Sequence, residues 1–264
     1  MTRLSALLLA LVLAVPSAEA QQTWMAQEDA ISIEVMPGWR RADGDHVAAL
    51  RVRLAPGWVT YWRSAGAAGI SPQMDWRGSR NVVAVAPVWP KPKVLKSVGG
   101  RSIGYDRDFV LPLVIRSRGN GPIRLRGALD LGVCRDICLP AQVDVAADLV
   151  PGEAPDAAIE AALADRPARI SAPVTCRLRP TPDGLALAGI VDLPPLGGRE
   201  AVVFEVPDPA IWVTDARVAR DGGRLTATSE LMLGGGGPIA VDRSRVRITV
   251  IGETDAVEIL GCTG

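Results

Sequence analysis

Ile123-Arg124-Leu125-Arg126-Gly127-Ala128-Leu129-Asp130-Leu131-Gly132-Val133-Cys134 is the stretch that decides the fold. Ile123, Leu125, Leu129, Leu131 and Val133 share one parity, while Arg124, Arg126 and Asp130 share the other. Side chains alternate faces only in an extended strand, so a period of two means a strand with one buried and one wet face. Upstream, Leu50, Val52 and Leu54 alternate with Arg51 and Arg53 in the same way. Ile31 to Met36, Val82 to Ala86, Phe109 to Ile115 and Val143 to Leu149 are further strand candidates, with Pro-Gly, Gly-Asn-Gly and Gly-Gly turns between them. So many short strands before residue 150 predict a β-sandwich.

The pattern changes at Pro151 to Pro167. Pro155-Asp156 reads as a helix start, and Ile159, Ala162 and Leu163 recur at helical spacing, which predicts a short linker helix. Period two then returns in Leu185 to Val191, Ala201 to Val206, Ile211 to Val218, Arg224 to Met232, Arg245 to Ile251 and Ala256 to Leu260. The expected organisation is all-β: one sandwich over 21–150, a linker over 151–167 and a second sandwich over 168–264. Gly234 to Gly237 is read as a hairpin tip or crossover, because no helix opening with Lys-Ser/Thr follows to cradle a phosphate.

Composition removes whole classes of function. The 264 residues carry 29 Lys+Arg, 29 Asp+Glu and a formal net charge of zero, which offers no basic face for nucleic acid. A single histidine, His46, excludes sites that need two imidazoles, so no metal centre and no bound cofactor are expected. His46 itself is read as a surface or strand residue. Residues 1–20 carry Arg3, an apolar run from Leu4 to Val15 and Ala18-Glu19-Ala20, the pattern of an export signal cleaved after Ala20. The apolar run is short of the roughly 20 residues that span a bilayer. A soluble exported protein is therefore expected, in a compartment where disulfides persist.

Four cysteines allow three pairings, and their order alone does not choose among them. Energetics separates them by role. Closing the short span Cys134 to Cys138 contributes only about 2 kcal/mol in the chain-entropy account, against about 4.6 kcal/mol for Cys176 to Cys262. The short ring also forces a turn, since five extended residues hold their ends about 13 Å apart and a disulfide needs roughly 4.4–6.8 Å between Cα atoms. Small-ring or exposed disulfides are the reducible kind, so Cys134 and Cys138 are the candidate redox pair and Cys176 and Cys262 the candidate structural bridge. With Val133 facing the core, Cys134 is expected on the opposite, accessible side. Arg135 would favour a thiolate there and Asp136 would oppose it. Two readings stay open beside the redox one: both pairs as plain staples, or Cys134 and Cys138 as soft ligands for Cu(I) in a non-catalytic adaptor or copper-tolerance module. Of the seven Trp, five (Trp39, Trp58, Trp62, Trp76 and Trp89) follow Trp24 in the first sandwich and are read mainly as core. Tyr61 and Trp62 are candidates to flank the dithiol.

These residues resemble a known family, the periplasmic amino-terminal domain of DsbD-type thiol:disulfide interchange proteins and of the related ScsB proteins. The resemblance runs from Val47-Ala48-Ala49-Leu50-Arg51-Val52 through Pro56-Gly57-Trp58-Val59-Thr60-Tyr61-Trp62-Arg63, Gly66 to Pro72, Asp75-Trp76, Gly104-Tyr105 and Phe109-Val110-Leu111-Pro112-Leu113. It closes on Gly132-Val133-Cys134-Arg135-Asp136-Ile137-Cys138-Leu139-Pro140, the most specific part. It implies immunoglobulin-like sandwiches and a periplasmic carrier of electrons, acting like a protein-disulfide reductase. Such a carrier takes electrons from a membrane-embedded thiol reductase or thioredoxin-like protein and passes them to periplasmic disulfide-containing proteins. By the same resemblance Cys138 is the nucleophile and Cys134 resolves; Tyr61, Trp62, Tyr105, Arg135 and Asp136 are the residues expected to flank the site. Two departures stand out. The stretch that bears an aromatic cap in DsbD-type domains reads Lys96-Ser97-Val98-Gly99-Gly100, and the chain stops at Gly264, so its electron donor is expected to be a separate protein.

Replacing Cys176 or Cys262 by Ser is expected to lower the melting temperature, by the loss of up to about 4.6 kcal/mol. Thiol–disulfide exchange at Cys134 and Cys138 should be retained, as thermal melts and reduction assays on the same variants will read out.

Overall fold

The computed structural model describes residues 30–97, 100–150 and 154–264; residues 1–20, where an export signal is expected, and Trp24 lie outside them. The first half contains ten strands: β1 (Ile31–Arg40), β2 (His46–Leu54), β3 (Val59–Tyr61), β4 (Gln73–Asp75), β5 (Val82–Pro87), β6 (Lys93–Ser97), β7 (Gly100–Tyr105), β8 (Phe109–Ser117), β9 (Ile123–Cys134) and β10 (Cys138–Leu149). They form a four-stranded sheet in the order β1-β2-β8-β5 and a six-stranded sheet in the order β10-β9-β3-β7-β6, with β4 pairing to β9. The alternation in β9 holds: Ile123, Leu125, Leu129, Leu131 and Val133 are all buried between the sheets. The short β4 and the β6–β7 hairpin escape the periodicity reading, because three residues are too few to show a period and Lys93-Val94-Leu95-Lys96 barely alternates.

The helix α1 (Ala157–Ala164) begins where the sequence puts it, with the Asp156 carboxylate accepting from the backbone N–H groups of Ala158 and Ile159. Eight residues are too few to hold a helix in water by propensity alone. It persists by packing Ile159, fully buried, on the outer face of the four-stranded sheet against Met36, Val47 and Ala49. This explains why β2 is buried on both sides at its start: Ala48 and Leu50 face the sandwich core while Val47 and Ala49 face α1.

The second half contains β11 (Ala168–Arg169), β12 (Val174–Thr181), β13 (Gly184–Asp192), β14 (Ala201–Glu205), β15 (Ile211–Val213), β16 (Arg217–Asp221), β17 (Arg224–Leu233), β18 (Arg247–Ile251) and β19 (Ala256–Leu260). One sheet runs β11-β19-β18-β14 and the other β12-β13-β17-β15, with β16 also on β17. Their facing residues, among them Leu187, Phe204, Leu225, Leu231 and Val250, form a second core. Gly234 to Gly237 is a turn at the end of β17, with the Gly236 N–H bonded to the Leu233 carbonyl. The protein is thus an all-β pair of immunoglobulin-like sandwiches joined by a short helix. No helix among the described residues is long and apolar enough to cross a membrane.

The sandwiches meet through a polar seam. Arg63 donates through Nε and Nη2 to the two carboxylate oxygens of Glu205 at 2.8 Å each, and through Nη2 to Glu258 at 2.8 Å. Its guanidinium lies over the Trp62 ring, 4.0 Å from the centroid. Beside it, Ala201, Ile251 and Ala256 of the second sandwich pack into the first core.

His46 occupies a strand, as expected, but not the surface: it is wholly buried, where β1 bulges at Pro37-Gly38. Gly38 has φ +67°, and a Cβ there would fall 1.7 Å from the Val47 carbonyl oxygen, so the bulge requires glycine. The bulge turns the Pro37 carbonyl toward His46 Nε2, 2.6 Å away, which as the neutral tautomer donates to it. His46 Nδ1 has no partner among the described residues. Burial, assisted by the nearby Arg40 charge, holds the His46 pKa below its usual 6.5 in spite of the Pro37 bond. A base whose folded pKa is depressed takes up its proton more readily when unfolded. Stability should therefore be full above pH 6.5 and fall as the pH drops below it. In His46→Gln, whose amide can still donate to Pro37, the melting temperature should lose this acid-side slope.

Candidate functional site

The β9–β10 hairpin sets Cys134 directly across from Cys138, and the two are disulfide-bonded with Cα atoms 4.1 Å apart. Arg135, Asp136 and Ile137 make the turn, closed by an Arg135 N–H bond to the Ile137 carbonyl at 3.1 Å. The two sulfurs differ sharply in environment. Cys134 does point away from Val133 and the core, as strand alternation demands, yet it is only 3% exposed, which corrects its expected accessibility. The reason is a second layer on that face: Tyr61, Ala65 and Val59 pack over it. Cys138, at the first position of edge strand β10, is exposed.

Tyr61 makes this cover. Its hydroxyl touches Cys134 Sγ and lies 3.3 Å from Cys138 Sγ, and since disulfide sulfurs carry no proton, the O–H is the donor to both. The ring fits because two glycines leave room for it. A Cβ on Gly132 would come within 2.9 Å of Tyr61 Cε2, and one on Gly69 within 2.8 Å of Tyr61 Cδ1. Ile70 sits over Gly132 beside the ring. Ile70 and Ile137 are 41% and 61% exposed, so one apolar side chain lies over Gly132 and another precedes Cys138 in the turn.

Arg135 and Asp136 are paired with each other, Nε to Oδ2 at 3.1 Å. The Arg135 guanidinium also lies 5.3 Å from the Trp58 ring centroid, and its stem covers Gly57, whose φ of +80° makes the Pro56-Gly57-Trp58 turn. Trp62 and Tyr105, expected beside the pair, are elsewhere. Trp62 follows Tyr61 in the chain, so alternation sends it to the opposite face and into the core. Tyr105 is also core, stacked on Phe109 with ring centroids 4.0 Å apart and its hydroxyl on the Pro90 carbonyl. Val98 and Gly99, in the stretch lacking an aromatic cap, lie outside the described residues. Sequence reasoning assigned no role at the site to Ala65, Gly69, Ile70 or Gly132. The legible signal was Gly132, a glycine interrupting a strand, which marks close approach by another group.

Cys176 and Cys262 form the second disulfide, with Cα atoms 5.6 Å apart. It joins β12 to the segment after β19, and the Cys176 N–H bond to the Thr263 carbonyl holds the same junction. Cys176 is buried. No group of three or more His, Cys, Asp or Glu among the described residues is placed to hold a metal ion.

Chemically, one disulfide closes a short hairpin with one sulfur open to attack and the other held under a hydroxyl donor. That arrangement, on an immunoglobulin-like sandwich, defines a module of thiol:disulfide interchange type. Residues 21–149 match the family described as "Thiol:disulfide interchange protein DsbD, N-terminal", and this half of the chain belongs to it. Among solved structures, the chain is similar to the N-terminal periplasmic domain of ScsB from Proteus mirabilis. The TM-score is 0.66 at 22% identity, over 91% of this chain and 96% of that one, a likeness of fold that spans both sandwiches. Comparison with curated protein sequences finds no match.

When an incoming thiolate attacks Cys138, Cys134 must leave with negative charge, and the Tyr61 hydroxyl is in place to donate to it. Tyr61→Phe keeps the ring and removes the donor. Reduction of this disulfide by a small dithiol is then expected to slow about tenfold, the worth of one hydrogen bond to a charged group. Unchanged rates in stopped-flow reduction would show that the hydroxyl has no part in it.

Proposed function

We propose that the protein is a periplasmic electron carrier that works by thiol–disulfide exchange at Cys134 and Cys138 without a bound cofactor. The observation that carries this reading is the asymmetry of the pair, one sulfur exposed and the other covered, on a domain of the DsbD N-terminal family. A thiolate of the donor attacks Cys138 Sγ, the Cys134–Cys138 bond breaks, and Cys134 leaves as a thiolate. The donor's second thiolate then attacks its own sulfur in the mixed disulfide. This frees the Cys138 thiolate and leaves the donor oxidised, two electrons having moved. In the second half-reaction the Cys138 thiolate attacks the substrate disulfide, and Cys134 resolves the resulting mixed disulfide. Cys138 is thus the nucleophile, Cys134 the resolving thiol, and Cys176–Cys262 a structural bridge.

The donor in this reading is a membrane-embedded thiol reductase or a thioredoxin-like protein, and the acceptors are periplasmic disulfide-containing proteins. Residues 1–20 act as the export signal, 21–150 as the redox sandwich, 151–167 as the linker and 168–264 as the second sandwich. The ScsB domain with the same two-sandwich fold is described as periplasmic, which supports this compartment.

The decisive experiment is a trap in cells. Cys134→Ser lacks the resolving thiol, so its Cys138 should accumulate mixed disulfides with its partners that are visible on non-reducing gels and identifiable by mass spectrometry. Cys138→Ser should accumulate several-fold fewer, because Cys134 is covered. A Cys134–Cys138 pair that stays oxidised in cells and resists thioredoxin-like reductants would sink the redox reading.

A further inference from the structure

The segment from Ser64 to Pro72 lies between the redox pair and the second sandwich, and touches both. On one side it covers Tyr61: Gly69 abuts the ring, Ala65 packs with Tyr61 and Cys134, and Ile70 lies over Gly132. On the other side its backbone meets Asp215 of the second sandwich. The Ala67 N–H donates to Asp215 Oδ1 at 3.0 Å, and Gly66 has φ +78° with its Cβ position 3.0 Å from the same oxygen. Gly66 thus takes a left-handed conformation and leaves no room for a side chain where the carboxylate approaches. Arg101 holds that carboxylate's neighbourhood, with Nη2 donating to the Ala216 carbonyl at 3.2 Å and Nε 4.0 Å from Asp215 Oδ2. The segment's other fastenings are within the first sandwich: Ala65 N–H to Ser71 Oγ at 3.1 Å, Gly69 N–H to the Gly66 carbonyl at 3.3 Å, and Ile103 N–H to the Ala65 carbonyl at 2.8 Å.

We propose that Asp215 is a positioning residue for the thiol–disulfide site: from the second sandwich it fastens the 64–72 segment over Tyr61, and so keeps Cys134 shielded while Cys138 stays open. This rests on the redox reading above and gives the second sandwich a part in it. A half-buried loop rich in Ala and Gly has little apolar surface of its own to bury, so one charge-assisted hydrogen bond weighs heavily in whether it stays closed. Shielding one sulfur directs every partner to the other, which separates the roles of nucleophile and resolving thiol before any partner arrives.

The test reads the two thiols separately. With the protein reduced under native conditions so that Cys176–Cys262 remains intact, labelling by iodoacetamide is followed at each cysteine by peptide mass spectrometry. Each alkylation joins one cysteine sulfur to the reagent's carbon and releases iodide. In Asp215→Ala, Cys134 should label about tenfold faster than in the unaltered protein, the shift expected from losing one hydrogen bond to a charged group, with Cys138 unchanged as an internal control. Asp215→Asn keeps the acceptor oxygen for Ala67 and should restore slow labelling. Glu205→Gln weakens the sandwich seam at Arg63, the residue before the segment, but leaves the Ala67–Asp215 bond in place, and should leave Cys134 slow. Should Asp215→Ala fail to fold, Arg101→Met loosens the same loop and should raise Cys134 labelling by a smaller factor. Unchanged Cys134 labelling in both loop variants, or an equal rise in Glu205→Gln, overturns the proposal. A pair that no thiol reductant opens in any variant overturns the redox reading instead.

Discussion

Alternation along a strand is the constraint on which this molecule turns. In β3 and the residues after it, Tyr61, Trp62 and Arg63 are consecutive, and each reaches a different destination: the disulfide, the sandwich core, and the carboxylates of the second sandwich. A strand cannot send neighbours to one face, so placing Tyr61 on the sulfurs commits Trp62 to the interior. The Trp62 ring then supports the Arg63 guanidinium, which is largely desolvated and held by two carboxylates. The Cys134–Cys138 disulfide, the first core and the seam between sandwiches therefore share one short piece of backbone. A change of register by a single residue would disturb all three.

Much of this was legible from residues alone, and the limits have physical causes. The inward row of β9, the start of α1 at Asp156 and the division of four cysteines into a short-range and a long-range pair all depend on local periodicity or spacing, which a sequence displays directly. What was not legible depended on layers. Alternation gave the face of Cys134 correctly, but whether that face is wet depends on Tyr61, Ala65 and Ile70 folding over it, and on glycines at 69 and 132 leaving them space. The burial of His46 likewise hangs on a bulge eight residues away, and no period in the sequence reports a bulge. Trp62 and Tyr105 were placed at the site by resemblance and by proximity in the chain; the pleat puts both in the core.

The seam between sandwiches also concentrates buried charge. Glu258 is 10% exposed at its side chain and is approached by Arg63, Arg169 and Arg247, and so buried a carboxylate would be costly without such partners. Such a network adds little by count, but it discriminates geometry. The sandwiches fit in the orientation that satisfies Glu205 and Glu258 together, and apolar contact alone would not specify it.

One further consequence concerns the order in which the chain is made. The core of the first sandwich is completed by Ala201, Ile251 and Ala256, which are synthesised long after its own strands. An N-terminal domain usually finishes folding as it emerges. Here three residues of the earlier sandwich's core come from the second sandwich, so that core is complete only once they are in place. The two sandwiches are therefore separate in architecture but joined in maturation, and an incompletely translated chain would carry the disulfide site on a domain still waiting for part of its interior.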